Sequence, residues 1–279
     1  MTYREAYDRG SLELKAAEIA DFSNDARLLL EYVCKTDRTT LLAYGDREIS
    51  EDEETEYFAL LKKRAGHVPL QHLTGIQGFM GLDFCVNENV LVPRPDTETL
   101  VEEVLRELHD GMSILDMCTG SGCILLSLLN YSNDCIGVGA DISKKALEVA
   151  KENAKRLGID ADFIVSNLFE NIEGVFDIIV SNPPYIRTCE IEELMPEVRD
   201  HDPFIALNGK EDGVSFYREI IKDAGEHLKG GGLLAFEIGC DQGRTVSDMM
   251  KDAGYRDVEV FKDLGGLDRV VKGRKKFNV

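Results

Sequence analysis

At 279 residues, with 43% hydrophobic and 30% charged side chains, the chain is long enough for one large domain or a main domain plus a smaller one, and it can bury a real core. A formal charge of -20, from 52 acidic against 32 basic residues, argues against a phosphate backbone as the main partner, because such binding rests on clusters of Lys and Arg. No apolar run approaches a membrane span and the start "MTYREAYDRGSLELKAAEIADF" has no apolar signal core, so a cytoplasmic protein without a membrane partner is expected.

From about residue 3 to 66 the apolar residues recur at three- and four-residue spacing, as in "DARLLLEYVCK" and "EYFALLKKRAG", with breaks at "DFSND" and "YGDREIS". This predicts a small helical domain. Within it, Ser50 and Glu53 form the ends of "SEDE", a capping box, and the acidic run at 51–56 suits the positive end of a helix. Between about 67 and 95 the texture changes to "VPLQHLTGIQGFMGLDFCVNENVLVPRP", where glycines punctuate apolar and aromatic residues and "NEN" lies between two β-prone runs. A hairpin linking two domains is expected there.

After the helix "RPDTETLVEEVLREL", short apolar strands such as "SILDM", "CIGVGAD", "ADFIVS", "FDIIVS" and "GGLLAFEIG" alternate with amphipathic helices, and "DVEVFKD" and "DRVVKGR" follow. Alternation of this kind predicts an α/β fold with a doubly wound parallel sheet, extra strands closing one edge. The expected division is a helical domain at 1–74, a hairpin linker at 75–95 and the sheet domain at 96–279. Seven scattered cysteines without a C-x-x-C pair, and five histidines without H-x-x-x-H spacing, signal no metal site and no disulfide framework.

Ligands of such sheets bind beyond the carboxyl ends of the strands, and three ends carry unusual residues. In "DMCTGSG", Gly120 and Gly122 permit a tight turn and close backbone approach to a ligand at a helix N-terminus, although a glycine turn also serves simply to let a helix pack. Asp141 ends "CIGVGAD", where a carboxylate can accept both hydroxyls of a ribose; favouring the dipole of a helix capped by Ser143 explains it equally well. Together the two ends point to a cofactor containing adenosine, and both NAD and S-adenosylmethionine fit. The third end, "SNPPY" at 181–185, separates them: Pro183 and Pro184 lack backbone donors and stiffen the chain, leaving carbonyl oxygens and the Asn182 side chain as an acceptor array. Tyr185 adds a flat face for stacking. Such an array grips both hydrogens of a planar NH2 group while its nitrogen faces a methyl donor. A strand-ending turn is the plainer alternative.

The motif "NPPY" after the fourth strand resembles the signature of class I S-adenosylmethionine-dependent methyltransferases that modify planar nitrogens. With "RTTLLAYGDREIS", "VPLQHLTG", "VLVPRPDTETLVE" and "GGLLAFEIG", nearly the whole chain resembles the bacterial peptide chain release factor N(5)-glutamine methyltransferase family. The resemblance implies a Rossmann-like methyltransferase sheet and transfer of methyl from S-adenosyl-L-methionine to the glutamine of the Gly-Gly-Gln motif in class 1 release factors. By position it implies that Cys118, Thr119, Gly120, Ser121 and Gly122 border the methionine part of the cofactor, Asp141 the ribose and Leu168 the adenine, with Asn167 and Asn182 also binding the cofactor. Asn182, Pro183, Pro184 and Tyr185 hold the substrate glutamine. Three residues depart from the family's usual ones: Cys118 stands for glycine, Asn167 for aspartate and Leu168 for an aromatic. The helical domain is expected to recognise the release factor, or else to cap the sheet, and the enzyme is expected to be a monomer without a nucleic-acid substrate. The competing functions are methylation of a ribosomal-protein glutamine, methylation of a nucleic-acid base, a nonenzymatic adenosine-binding module and a Rossmann dehydrogenase. The last two leave "SNPPY" unexplained.

Overall fold

The apolar spacing of the first 66 residues folds into α1 (Tyr3–Ala16), α2 (Phe22–Cys34), α3 (Arg38–Ala43) and α4 (Glu51–Ala65), followed by a short α5 (Leu70–Thr74). The structure, a computed structural model, describes residues 1–277. Helix α4 begins at the expected capping box: Ser50 Oγ accepts from the Glu53 amide at 3.2 Å, and the Glu53 carboxylate accepts from the Ser50 amide at 2.7 Å. Helix α2 starts at Phe22, inside the stretch expected to be a break, because Phe22 packs on the core of this unit and draws the first turn inward. Leu14, Leu29, Leu30, Tyr57 and Leu61 fill that core without exposure. Beside it, the Nε of buried Arg64 donates to Asp25 Oδ2 at 2.7 Å, and its Nη2 donates to Glu197. Burial pushes the Asp25 carboxyl up from its ordinary value, and the Arg64 guanidinium pulls against that shift.

The chain divides into two compact units, Met1–Ile76 with Met195–His201, and Gln77–Leu194 with the chain from Asp202 on. The hairpin is present, but its turn lies earlier than "NEN" suggested. Strands β1 (Ile76–Phe79) and β2 (Leu82–Cys85) flank Met80 and Gly81, which have φ of 49° and 71°. Two consecutive left-handed residues make the turn whose twist matches paired strands. Residues 87–89 form a separate turn, and the apolar run after them is not a strand.

The remaining elements are α6 (Pro95–Leu105), β3 (Ser113–Met117), α7 (Cys123–Asn130), β4 (Ile136–Asp141), α8 (Lys144–Leu157), β5 (Asp162–Val165) and β6 (Phe176–Ser181). After a 3-10 turn come α9 (Pro196–Arg199), α10 (Phe204–Leu207), α11 (Ser215–His227), β7 (Leu228–Glu237), α12 (Gly243–Asp252), β8 (Arg256–Lys262) and β9 (Asp268–Arg274). The seven-stranded sheet has the order β5-β4-β3-β6-β7-β9-β8, parallel from β5 to β7 and antiparallel at β9 and β8. This is the doubly wound, Rossmann-like sheet expected, with its two extra strands at one edge.

Side chains alternate between the faces of a strand, and the core is partitioned accordingly. Ile114, Ile178, Val180, Leu233 and Ala235 pack with Leu100 and Val104 of α6 and Leu125 and Leu128 of α7. Their neighbours Leu115, Met117, Ile179, Leu234 and Phe236 pack with Tyr217 and Ile220 of α11 and Val246 and Met250 of α12. Both faces are covered, as a parallel sheet requires.

Arg64→Ala should destabilise the helical unit by about 3–5 kcal/mol, because it leaves Asp25 buried without its counter-charge. The exchange protection of amides in α2 and α4 measures this loss. Removing Asp25 as well, in Asp25→Ala/Arg64→Ala, should restore part of it; equal protection in the single variant and the wild type would contradict the argument.

Candidate active site

Strand β3 is the point where the winding of the sheet reverses. The chain runs from β3 through β4 to β5 at one edge, then returns so that β6 lies on the other side of β3. Met117 and Ser181 end these two strands opposite each other, and Ser181 Oγ donates to the Met117 carbonyl at 2.6 Å. The loops that follow open a crevice at the switch point, where open α/β sheets bind ligands. One cavity there, of about 230 Å3, is lined by Cys118, Thr119, Gly120, Ser121, Asp141, Asn167, Leu168, Asn182 and Pro184. A larger cavity of about 580 Å3 lies among α1, α2 and α3 and contains none of the strand-end residues, so chemistry rather than size locates the site.

Three of the expected site residues do not line the cavity. Gly122, with φ of 79°, is the N-cap of α7. Pro183 is buried, and the half-buried Tyr185 donates its hydroxyl to Glu237 Oε1 at 3.2 Å.

The turn after β3 is tied to the end of β4. Thr119 N donates to the Ala140 carbonyl at 3.0 Å, Gly120 N to Asp141 Oδ2 at 2.9 Å, and Ser143 N to Asp141 Oδ1 at 2.8 Å. Ser143 Oγ separately caps α8 by accepting from Ala146 N at 3.2 Å. Ser143 thus does the capping, while Asp141 lines the cavity with both oxygens held by backbone amides. Each Asp141 oxygen has a second lone pair beyond the one given to a backbone amide. Burial raises the Asp141 pKa, while the Ser143, Gly120 and Ile142 amides pull it back.

Below it, Asp116 falls in phase with Ile114 and so faces α6 and α7. It has no exposure, and its Oδ2 accepts from Thr119 Oγ1 at 2.6 Å and Leu125 N at 3.3 Å while Oδ1 is buried without a partner. Burial pushes its pKa up to about 7, against the opposing pull of the Thr119 and Leu125 hydrogen bonds.

Cys118 and Leu168, at positions where glycine and an aromatic were expected, adopt φ of 62° and 47°, in the left-handed region that side chains disfavour. Leu168 is held there by its carbonyl, which accepts from Ser166 Oγ. Asn167 lines the cavity, and its side-chain nitrogen donates to Glu170 Oε1 at 2.8 Å. The Asn182 carboxamide lines the cavity and is engaged by no other described residue.

Sequence reasoning missed several wall residues. Arg94 and Thr97 come from "VPRPDTETLVE", where the local signal is a helix start and not a ligand wall, and Arg94 Nη2 pairs with Asp202 Oδ2 at 2.8 Å. Ile205, Lys210 and Phe216 also line the cavity, with Lys210 Nζ 5.6 Å from the centre of the Phe216 ring; no local pattern marks them.

Two family models match the chain, one described as the PrmC N-terminal domain over residues 5–75 and one as the methyltransferase small domain over residues 95–197. The chain is 41% identical over 278 residues to a release factor glutamine methyltransferase of Clostridium acetobutylicum, covering 97% of this chain and 98% of that one. It is 43% identical over 270 residues to a release factor glutamine methyltransferase of Agrobacterium fabrum, covering 94% and 93%. Among solved structures, a methyltransferase from Pyrococcus furiosus matches with a TM-score of 0.54 at 19% identity, over 71% of this chain and 90% of that one, a likeness of fold.

Because the folded chain holds a proton on Asp116 up to about pH 7 and the unfolded chain releases it in the ordinary carboxylate range, the fold binds the extra proton between those values. The stabilisation is full below the unfolded value and is lost as pH rises towards 7, at no more than about 1.4 kcal/mol per pH unit. Asp116→Asn should remove that share of the slope, so urea unfolding from about pH 5 to 7 should give a flatter line. An unchanged slope would mean that Asp116 is already ionised in the fold.

Proposed function

The chain belongs to the release factor glutamine methyltransferase family, and on that premise we propose that it moves the methyl group of S-adenosyl-L-methionine to the side-chain amide nitrogen of the glutamine in the Gly-Gly-Gln motif of class 1 peptide chain release factors. The observation that carries the proposal is the meeting of the Gly120 turn, Asp141 and the Asn182 corner around one cavity.

The residues fit the cofactor. A Cβ built at Gly120 meets no atom within 4 Å, so the turn leaves open the space that a close-lying ligand needs. Asp141 lines the cavity, and a carboxylate has about four acceptor positions, so beyond its backbone amides it retains capacity to accept from a ribose hydroxyl. Cys118, Thr119 and Ser121 then border the methionine part, with Gly122 closing the turn behind them as the N-cap of α7; Leu168 borders the adenine, and Asn167 adds a further cofactor contact. When bound, S-adenosyl-L-methionine supplies an electrophilic methyl group on a sulfonium.

The chain's own contribution is alignment. An amide nitrogen is a poor nucleophile because its lone pair is delocalised. The Asn182 side-chain oxygen at the cavity wall accepts one amide hydrogen and the Pro183 carbonyl, next in the chain behind that wall, the other; together they raise electron density on nitrogen and aim it at the methyl carbon, with Pro184 bounding the acceptor and Tyr185 fastening the corner through Glu237. Positioning of this kind is worth roughly 7–11 kcal/mol. Once methylated and positively charged, the nitrogen is acidic enough to release a proton to solvent, keeping the electron pair of the broken N–H bond. The helical segment 1–74 serves to recognise the release factor, joined through 75–95 to the catalytic segment 96–279, and the enzyme acts as a cytoplasmic monomer.

Incubation with methyl-labelled S-adenosyl-L-methionine should label a bacterial release factor and leave its Gln→Glu variant, a ribosomal-protein substrate, DNA and RNA unlabelled. Label in any of these four in place of the factor would reject the assignment. Asn182→Ala should lower kcat by about 10²–10³-fold with a smaller effect on KM, since the amide hydrogens become stronger donors only as nitrogen gains charge.

Asp141→Ala should weaken cofactor binding by about 1.5–3 kcal/mol, read by calorimetry. Unchanged affinity in a folded variant would reduce Asp141 to a brace for the Gly120 turn.

A further inference from the structure

Gln242 precedes α12, is 3% exposed and does not line the cavity. Its side chain is nevertheless fully used. Oε1 accepts from Gly239 N at 3.0 Å, and Nε2 donates to the Tyr185 carbonyl at 3.0 Å and to the Gly213 carbonyl at 3.1 Å. One carboxamide thus joins the end of β7, the loop before α11 and the last residue of the SNPPY corner. Packing around it is tight: Gly213 has φ of 72°, and a Cβ there would lie 2.7 Å from the Tyr185 oxygen and 2.9 Å from Gln242 Nε2.

The corner needs such a hold. Pro183 and Pro184 have no N–H with which to fasten themselves, so the position of the segment is set from its two ends. At the near end Ser181 Oγ donates to the Met117 carbonyl. At the far end the Tyr185 carbonyl is held by Gln242 and its hydroxyl by the buried Glu237, while Ile186 N donates to the Leu207 carbonyl at 3.1 Å. Of these anchors, Gln242 alone fixes the backbone carbonyl of Tyr185, two residues from the Pro183 carbonyl.

We infer that Gln242 is a positioning residue for methyl transfer: through the Tyr185 carbonyl it sets the direction of the Asn182 and Pro183 acceptors without touching substrate or cofactor. The inference rests on the assignment of that corner as the acceptor site. A purely structural Gln242 would brace the turn into α12, and its loss would act on stability alone.

A double-mutant cycle on the full chain separates the two, with single-turnover methylation of a release factor and calorimetric cofactor binding as readouts. Gln242→Met, similar in size but unable to hold either carbonyl, should lower the methyl-transfer rate by about 10–10²-fold, as misplacement remote from the chemistry does, with KM for the factor and cofactor affinity within about twofold of wild type. In an Asn182→Ala background the same change should cost no more than about twofold, because the group it positions is gone. Gln242→Asn keeps the amide but is too short to span all three partners, and it should show the same pattern at smaller amplitude if Gln242→Met does not fold. Equal losses in both backgrounds, an unchanged rate in the folded single variants, or a loss carried by cofactor affinity would overturn the inference. If the unsubstituted chain fails to label the factor, the acceptor-site assignment itself falls, and the inference with it.

Discussion

Strands β3 and β6 run side by side in the same direction, with Met117 opposite Ser181 and the serine hydroxyl on the methionine carbonyl. Because the strands are parallel, both segments must leave the sheet at the same, carboxyl end. Because β3 lies where the winding reverses, they leave towards different helices: β3 enters α7, which packs with α6 over one face, and β6 leads on to α11, which packs with α12 over the other. The gap between the departing loops is the cavity. A glycine turn and a proline corner, which in separate places would be ordinary loop features, line one cavity because of this one pairing.

The two carboxylates near that end are distinguished by the hydrogen bonds available to them. Asp141 receives a backbone amide on each oxygen, from Gly120 and from Ser143, and lines the cavity. Asp116 lies one strand away with no exposure and one oxygen unpartnered, and burial favours its neutral form. Desolvation raises both pKa values, but the geometry leaves the outer group as an acceptor and makes the inner one a buried fastening for Thr119 and α7. The same end holds Cys118 and Leu168 in the left-handed region. Strain of this kind costs on the order of 1–3 kcal/mol per residue and persists only where surrounding contacts impose it. Here those contacts include Thr119 N on the Ala140 carbonyl and Ser166 Oγ on the Leu168 carbonyl.

Much of this was legible in the amino-acid order because it is encoded locally. Three- and four-residue spacing marked the helices, Ser50 and Glu53 marked the start of α4, and short apolar runs marked the parallel strands. Gly120, Asp141 and Asn182 stood out as residues that end strands in unusual ways, and two prolines restrict φ wherever they occur. The hairpin turn was misjudged for a local reason too. Asn-Glu-Asn is the more turn-like text, whereas Met80 accepts a left-handed conformation that its own side chain does not favour. What only the tertiary structure decided depends on groups far apart in the chain. The Tyr185 hydroxyl meets Glu237 and its carbonyl meets Gln242, across 52 and 57 residues, and Arg64 binds Glu197 across 133. Arg94, Lys210 and Phe216 reach the cavity in the same way, carried there by packing. Periodicity and backbone restriction act over a few neighbouring residues and can be read from them, but the set of side chains sharing a cavity is settled by how whole strands and helices pack, which no short stretch of sequence contains.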